Sequence, residues 1–371
     1  MDVVVGSYEE LSLGYQLTHT DGKWEFQQMF TDHSHCGGVR DVAISKKKIL
    51  ATGSSDETIK LFDLDKKVEL GSLMEHEGTI TSLSFYEDSH LFSGSEDGKI
   101  CIWKTSGWDC IKTLKGHKGP VLSVSVHPSG KLALSVGKDK TLRTWNLITG
   151  RAAFITNIKE VAESVHWSPD GGLYAVVFPN RVDIYDVEKA AITDSICCEF
   201  RVQVVTFMQS NWLIVGGDQG IFQICDLDKK SKVCTMNTGT NRIKGIGCCQ
   251  MAGDTCIVTA SSDGFIKAWK LSKDVPPACE LLTEVNTKFR LTCLTVATKE
   301  QESVSNTQKK ELENVISNGA TGKKRKRKRG KFGSSQEPEK RRDQNIQKTS
   351  IEEEKAPKKK KKRKQATKGS D

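Results

Sequence analysis

One pattern recurs along most of the chain and leaves few folds open to it. Each copy begins with a turn that contains Asp and usually Gly, and continues with alternating apolar residues that end in an aromatic residue. Clear copies begin at Gly53, Gly94, Ser135 and Ser261, and read GSSDETIKLFD, GSEDGKICIWK, SVGKDKTLRTWN and SSDGFIKAWK. Alternation with a period of two after a tight turn is typical of a half-buried β-strand. The sequence therefore predicts a repetitive, all-β chain.

The spacing of the copies indicates the size of the repeating unit. Weaker copies end at Tyr185 and Cys225, and the stretch GSYEELSLGYQL from Gly6 overlays GSSDETIKLFDL without a gap. The copies thus end at residues 15, 62, 103, 145, 185, 225 and 269, in steps of 40 to 47 residues. This period is that of a propeller blade made of four short strands. We expect a propeller with seven blades.

The two ends of the repeat region complement each other. A second apolar strand precedes most copies, at Val39–Ile44, Ile80–Phe85, Val121–Val126, Val161–Trp167, Val202–Phe207 and Ile243–Cys248. The copy at Gly6 has no such strand before it, whereas the apolar strand Arg290–Val296 has no copy after it. Pairing these two partial units closes the ring and removes the exposed sheet edges that favour aggregation. We expect a monomeric ring over residues 1–298, closed by its N- and C-terminal strands.

The copies resemble the WD-repeat family, in which a His, a Ser or Thr, a turn Asp and a strand Trp form a hydrogen-bonded tetrad within each blade. Two successive copies contain all four residue types, with gaps of 17, 4 and 6 residues in one and 18, 4 and 6 in the other. These sets are His76, Ser93, Asp97 and Trp103, and His117, Ser135, Asp139 and Trp145. Partial sets are Thr52, Asp56 and Phe62, and Thr259, Asp263 and Trp269, while Pro179 and Gln219 take the Asp position in the two weakest copies. The resemblance implies a structural role for these residues.

A His, an Asp and a Ser also make up a hydrolase triad, so a catalytic role is the alternative for the same residues. Their recurrence in consecutive units favours structure, because a catalytic set is needed once and lies in one pocket. The sequence contains no G-x-x-x-x-G-K-[ST] phosphate loop, no H-E-x-x-H, no C-x-x-C and no G-x-S-x-G. We therefore expect a non-enzymatic protein without a cofactor or a metal.

Charge divides the chain into two parts. Residues 1–298 contain 32 Lys and Arg against 36 Asp and Glu, whereas residues 299–371 contain 24 against 11. Phe332 is the only aromatic residue of the second part, which therefore has too little apolar surface to form a core. The sequence predicts a mildly acidic ring, residues 1–298, and a disordered, Lys- and Arg-rich tail, residues 299–371.

The tail contains two runs of seven cations. They are Lys323, Lys324, Arg325, Lys326, Arg327, Lys328 and Arg329, and Lys358, Lys359, Lys360, Lys361, Lys362, Arg363 and Lys364. Such runs are typical of signals for a nuclear import receptor, and they also bind RNA phosphates without reading sequence, because the runs contain no aromatic residue to stack on bases. The alternative is a solvated tail that only keeps the protein soluble. We expect location in the nucleus and nucleolus.

A closer resemblance covers almost the whole chain. The strings VVGSYE from Val4, GKLALSVGKDKTLRTWNLITGR from Gly130, SSDGFIKAWKLSK from Ser261 and RLTCL from Arg290 are similar to a family of WD-repeat proteins that interact with p21-activated kinases and act in the nucleolus. The resemblance implies a scaffold in large-subunit ribosome assembly and pre-rRNA processing, whose partners are proteins of pre-60S particles.

Two functions stay open at this point, because the same family implies an adaptor that binds and negatively regulates a p21-activated kinase in signalling. A ubiquitin-ligase substrate receptor is disfavoured, since no copy has an intact Trp-Asp followed two residues later by Arg. No membrane association is expected, because the sequence lacks an apolar run of 18 residues and the start of the chain lacks the features of a signal peptide.

Overall fold

The computed structural model describes residues 1–251, 253–272 and 278–297, and these residues form 28 strands in seven four-stranded antiparallel sheets. We number six blades in chain order and call the sheet that joins both ends of the described chain blade 7. Blade 1 holds β4 Val39–Ile44, β5 Ile49–Ser54, β6 Ile59–Asp63 and β7 Val68–Leu73. Blade 2 holds β8 Ile80–Tyr86, β9 His90–Ser95, β10 Lys99–Lys104 and β11 Asp109–Lys115. Blade 3 holds β12 Val121–Val126, β13 Leu132–Gly137, β14 Thr141–Asn146 and β15 Arg151–Asn157.

The remaining blades repeat this order. Blade 4 holds β16 Ser164–Trp167, β17 Leu173–Val177, β18 Arg181–Asp186 and β19 Ala191–Cys197. Blade 5 holds β20 Val202–Gln209, β21 Trp212–Gly217, β22 Ile221–Asp226 and β23 Ser231–Asn237. Blade 6 holds β24 Ile243–Met251, β25 Asp254–Ser261, β26 Phe265–Leu271 and β27 Cys279–Asn286, and blade 7 holds β28 Leu291–Ala297, β1 Asp2–Ser7, β2 Ser12–Thr20 and β3 Lys23–Asp32. The prediction of a seven-bladed, all-β propeller is confirmed.

The ring closes within blade 7, where strands from distant parts of the chain pair. β1 lies between β2 and β28, and the antiparallel pairing of β1 with β28 matches Val3 to Val296 and Val5 to Leu294. The backbone N–H of Tyr8 extends the contact by donating to the carbonyl of Arg290 at 2.9 Å. Because β28 is the inner strand of blade 7 and contacts both β24 and β4, the circle of inner strands is continuous.

Burial between neighbouring blades holds the ring together. The inner strands contact one another in the order β4, β8, β12, β16, β20, β24 and β28. One apolar cluster joins blade 7 to blade 6 through Val5, Leu17, Ala260 and Ile266, which are almost completely buried. The outermost strands contribute little, and every residue of β15 is exposed. The stability of the propeller therefore comes from faces that are buried only when all blades are present.

The turns between the second and third strands explain why the recurring pattern usually, but not always, contains Gly. Gly98 adopts φ of 78° in blade 2, a left-handed conformation that glycine takes without steric cost. Glu57 and Lys140 take the same conformation in blades 1 and 3, with φ of 69° and 59°. The turn geometry is thus common to these blades even where glycine is absent.

Five of the predicted inner strands differ from the structure by one to three residues at an end: β8, β20 and β24 extend further, β28 is shifted by one residue, and β16 begins later. β16 begins at Ser164, three residues after the predicted start at Val161. Lys159 has φ of 63°, and the N–H of Glu160 donates to the carbonyl of Ile158, so the backbone turns here instead of pairing. Ala162 is nevertheless fully buried in an apolar cluster, which explains its apolar signal.

The predicted disordered tail, residues 299–371, lies outside the described residues, and so do both of its cationic runs, Lys323–Arg329 and Lys358–Lys364. Within the described ranges, no helix is long and apolar enough to cross a membrane.

Candidate functional site

Blade 2 contains a continuous chain of side-chain hydrogen bonds. Trp103 Nε1 lies 2.8 Å from Ser93 Oγ, Ser93 Oγ lies 2.8 Å from His76 Nε2, and His76 Nδ1 lies 3.0 Å from Asp97 Oδ2. The indole N–H only donates and the carboxylate only accepts. In a neutral imidazole, Nδ1 therefore carries the proton and donates to the carboxylate, and the Ser hydroxyl donates to Nε2. Every member of the network has a partner.

Asp97 connects this network to the backbone on both sides of it. Its carboxylate accepts the N–H of Lys99 at 2.8 Å and that of Glu77 at 3.2 Å. Although burial alone would raise the pKa of Asp97, the hydrogen bonds from His76 and from these two N–H groups lower it to about 2. The carboxylate is therefore ionised at neutral pH, and it joins the turn before β10 to the loop before β8.

Blade 3 repeats the arrangement. Trp145 Nε1 donates to Ser135 Oγ at 2.8 Å, His117 Nε2 lies 2.7 Å from that oxygen, and His117 Nδ1 lies 3.0 Å from Asp139. Burial opposes the ionisation of Asp139, yet hydrogen bonds from the backbone of Lys118 and from Thr141 and His117 lower its pKa to about 2. Burial also lowers the pKa of His117, which keeps the imidazole neutral.

Blade 1 has a histidine that the sequence analysis missed. His35 is buried, with Nδ1 2.8 Å from Asp56 Oδ2 and Nε2 2.8 Å from Thr52 Oγ1. Phe62 occupies the Trp position and has no N–H to donate. The signal was available, because His35 precedes Thr52 by 17 residues, the gap between His76 and Ser93.

Blades 6 and 7 keep parts of the network without a histidine. In blade 6, Trp269 Nε1 donates to Thr259 Oγ1 at 3.1 Å, and Asp263 accepts the hydroxyl of Ser261 and the N–H of Asn241. In blade 7, the carboxylate of Glu9 accepts the N–H of Arg290 at 3.0 Å. A turn carboxylate thus holds the loop before the inner strand in both blades.

Blades 4 and 5 fill the same space with apolar side chains. Val176 and Val215, both fully buried, stand where the serine would stand. Next to Pro179, Phe178 is buried and the guanidinium of Arg181 lies 4.1 Å from its ring centre, whereas Gln219 is exposed. These blades leave no tetrad donor or acceptor without a partner, because the polar atoms themselves are missing.

The order Asp–His–Ser in blades 2 and 3 resembles that of a hydrolase, but the environment of the hydroxyl does not suit a nucleophile. Ser93 and Ser135 are completely buried, and each Oγ already accepts the N–H of a tryptophan packed against it. A substrate carbonyl cannot reach either oxygen without unpacking the blade. Among the described residues, no group of three or more His, Cys, Asp or Glu side chains is placed to hold a metal ion.

The tetrads instead organise one face of the ring. We define the tetrad face as the loops before the seven inner strands together with the turns between the second and third strands of each blade. The Asp residues of blades 1, 2, 3 and 6 each bond an N–H of the loop before the inner strand. The loops before the inner strands of these four blades are therefore held in fixed positions, as a rigid docking surface requires.

A second polar series connects consecutive blades through their inner strands. Asp41 accepts the N–H of Leu83 at 2.7 Å, Ser82 that of Val124 at 3.1 Å, and Ser123 that of Val165 at 3.3 Å. In each pair, the acceptor lies 42 residues before the donor. Burial of its side chain raises the pKa of Asp41 to about 7, against the effect of its two backbone hydrogen bonds. The series fixes the inner strands of blades 1 to 4 to one another.

Comparison with known proteins agrees with this architecture. The family model described as WD domain, G-beta repeat matches residues 24–63, 67–104 and 108–146. The p21-activated protein kinase-interacting protein 1-like of Danio rerio is 49% identical over 80% of this chain and 80% of its own length. More distant relatives are Protein MAK11 of Saccharomyces cerevisiae, 28% identical over 84% of this chain and 86% of its own, and Shk1 kinase-binding protein 15 of Schizosaccharomyces pombe, 28% identical over 72% and 76%.

Proposed function

This chain belongs to the family of p21-activated protein kinase-interacting proteins within the WD-repeat proteins, and from that premise we propose that it is a non-enzymatic scaffold of the nucleolus. In this role the ring docks onto proteins of pre-60S particles during assembly of the large ribosomal subunit and pre-rRNA processing. The basic tail brings the protein to the nucleus through an import receptor and adds non-specific contacts to RNA.

The observation that carries the proposal is the combination of a closed ring with a tail of opposite charge. The tetrad face offers loops held by buried hydrogen bonds, and the serine hydroxyls that resemble nucleophiles are enclosed within the blades. The tail adds 24 Lys and Arg against 11 Asp and Glu, in two blocks suited to phosphate-rich surroundings. A rigid protein-binding part and a cationic targeting part together suit a particle made of protein and RNA.

Deletion of residues 320–371 tests the targeting part. We expect the truncated protein to keep its far-UV circular dichroism and its unfolding transition, because β28 ends at Ala297, but to lose its concentration in the nucleolus when imaged as a fluorescent fusion. Attaching an unrelated import signal to the truncated protein is the control, since it restores nuclear entry without restoring phosphate contacts. Unchanged nucleolar location of the truncated protein would contradict the targeting role.

Sedimentation tests the ribosomal part. We expect the tagged full-length protein to migrate with large-subunit precursors on a sucrose gradient. Purification at two salt concentrations then separates the partners, because contacts of the tail are lost at high salt and contacts of the ring persist. Absence from precursor fractions at both salt concentrations would refute the ribosomal role.

A second function is favoured by the names of the relatives, two of which describe binding to a kinase. In this alternative, the ring binds a p21-activated kinase and limits its activation. Co-purification of this protein from cytosol with the kinase, combined with slower autophosphorylation of the kinase in its presence, would support the adaptor. Nucleolar location with no effect on the kinase would support the scaffold.

A further inference from the structure

A cavity of about 310 Å³ opens on the tetrad face between blades 5 and 6. Arg201 and Arg242 come from the loops before β20 and β24, Gln203 and Lys244 from those strands, and Asp218 from the turn after β21. The lining thus has three cations and one carboxylate. This local excess of positive charge lies within a ring that is mildly acidic over residues 1–298.

The cations of this cavity are incompletely neutralised. Arg201 pairs with Glu163 at 2.6 Å, and Lys244 Nζ donates to the neutral side chain of Gln203 at 2.6 Å. Within the part of the chain that the structure describes, the exposed guanidinium of Arg242 has no ion pair or hydrogen bond. Donors with no partner, in a concave site, are what an anionic ligand requires.

The pKa of Lys244 reflects the excess of positive charge around this side chain. Partial burial lowers its pKa, and the positive charges of Arg242, Arg201 and Arg40 lower it further, while Glu163 acts in the opposite direction. An anion placed between Lys244 and Arg242 would relieve this repulsion and raise the pKa of the lysine back toward its usual range. The anion would therefore stabilise the charged form of Lys244.

The cavity also has an acceptor without a donor. Asp218 Oδ1 is buried and, in the described residues, accepts no hydrogen bond. A small rotation of this carboxylate toward the cavity would let it accept an N–H from a ligand. A peptide offers such N–H groups beside an anionic side chain.

We propose that this cavity binds an anionic side chain, a carboxylate or a phosphoserine, from an extended segment of a partner protein. RNA is the less suitable ligand, because no aromatic residue lines the cavity to stack on bases and the surrounding ring is acidic. The proposal deepens the docking function proposed above by naming the chemistry of the partner. It rests on that function in one respect, namely that the ring binds proteins.

The test uses full-length protein and three libraries of random 12-residue peptides, whose central residue is glutamate, phosphoserine or alanine. Binding is measured by fluorescence anisotropy for the wild type and for Arg242→Gln and Lys244→Gln. Lys118→Gln is the matched control, because Lys118 is an exposed cation of the same face outside the cavity. The tail is identical in all four proteins, so its non-specific attraction cancels in the comparison.

We expect at least one anionic library to bind more tightly than the alanine library, and each cavity variant to weaken that preference at least about 10-fold, as loss of a charged hydrogen bond does. The control variant should stay within about twofold of the wild type, as for a charge outside the site. The better of the glutamate and phosphoserine libraries identifies the anion.

Equal binding of all three libraries, or equal loss in the control variant, would overturn the proposal. The proposal would also be overturned if, in the same assay, the cavity variants lost affinity only for single-stranded RNA of matched charge. The cavity would then bind phosphates of RNA. If the protein prefers anionic peptides but does not sediment with large-subunit precursors, the proposal for the cavity stands and the ribosomal role is refuted. If the protein sediments with these precursors but shows no preference for anionic peptides, the ribosomal role stands and the proposal for the cavity is refuted.

Discussion

Replacing Ser93 with alanine should destabilise the ring more than removing the equivalent hydroxyl of blade 6. Ser93 Oγ accepts the indole N–H of Trp103 and donates to His76 Nε2, each at 2.8 Å, and the residue has no exposed surface. Ser93→Ala leaves both groups buried without a partner. Each stranded group costs about 1–3 kcal/mol, so the free energy of unfolding should fall by about 2–6 kcal/mol.

Thr259→Val is the matched comparison because valine preserves the shape of threonine. Among the described residues, Thr259 Oγ1 accepts only the N–H of Trp269, at 3.1 Å, since no histidine is present in that blade. One stranded donor predicts a loss of about 1–3 kcal/mol, roughly half of that for Ser93→Ala. Ser231→Ala, at an exposed serine of β23, controls for the substitution itself and should change stability by less than about 0.5 kcal/mol.

Urea unfolding followed by circular dichroism measures these differences as shifts of the midpoint at constant slope. Hydrogen exchange at the indole N–H gives a second readout, because Trp103 should lose protection in Ser93→Ala while Trp145 keeps it. If Ser93→Ala costs no more than Thr259→Val, the two hydrogen bonds of Ser93 are not both formed. The view that complete tetrads stabilise their blades more than partial ones would then be wrong.

Two further predictions concern the inner strands. The pKa of Asp41 is raised to about 7, so Asp41 stays protonated in the folded ring while the unfolded chain ionises. Its contribution to stability should therefore fall as the pH rises from about 4 to about 7. Asp41→Ser keeps an acceptor, and the difference in unfolding free energy between this variant and the wild type, measured by urea titration, should shrink over the same range. An unchanged difference would mean that Asp41 is ionised in the fold. A Cβ added at Gly6 would lie 2.6 Å from Val39 Cγ1 and 2.7 Å from Cys293 Sγ, so Gly6→Ala should lower the free energy of unfolding by about 1–3 kcal/mol. Gly172→Ala is the control and should have a negligible effect, because no described atom would come closer than 3.6 Å to its Cβ. Equal urea midpoints for the two variants would argue against tight closure between blades 7 and 1.

The sequence alone predicted the architecture because the information for it is local and repeated. The alternation of apolar residues in segments such as Lys99–Lys104 indicates a strand, and the Asp-containing turns separate one strand from the next. The apolar strand Arg290–Val296 has no copy of the turn pattern after it, and the copy that begins at Gly6 has no apolar strand before it. Their pairing could therefore be predicted by matching the two incomplete units. The confirmed pairing of Val5 with Leu294 needed no knowledge of side-chain packing.

Tertiary structure decided what depends on several blades at once. The spacing of His35 to Thr52 was present in the sequence, but with Phe62 in place of a tryptophan only the structure showed that Thr52 and Asp56 bond the two nitrogens of its imidazole. The hydrogen bond from Leu83 to Asp41 joins two blades, and no local pattern distinguishes that carboxylate from an exposed one. Sequence periodicity reports which face of a strand is buried, not which group lies across a blade boundary.

The cavity between blades 5 and 6 illustrates the same limit. Arg201 and Arg242 lie 41 positions apart in the chain, in loops that carry no motif, and they become neighbours because the repeat places equivalent positions side by side. The sequence by itself determined the number of blades, their order and the way the ring closes, since each depends on short-range patterning and on the unfavourable exposure of a sheet edge. Only the packed ring decided which charges meet, because electrostatic partners and burial depend on distances in space that the spacing of residues along the chain does not contain.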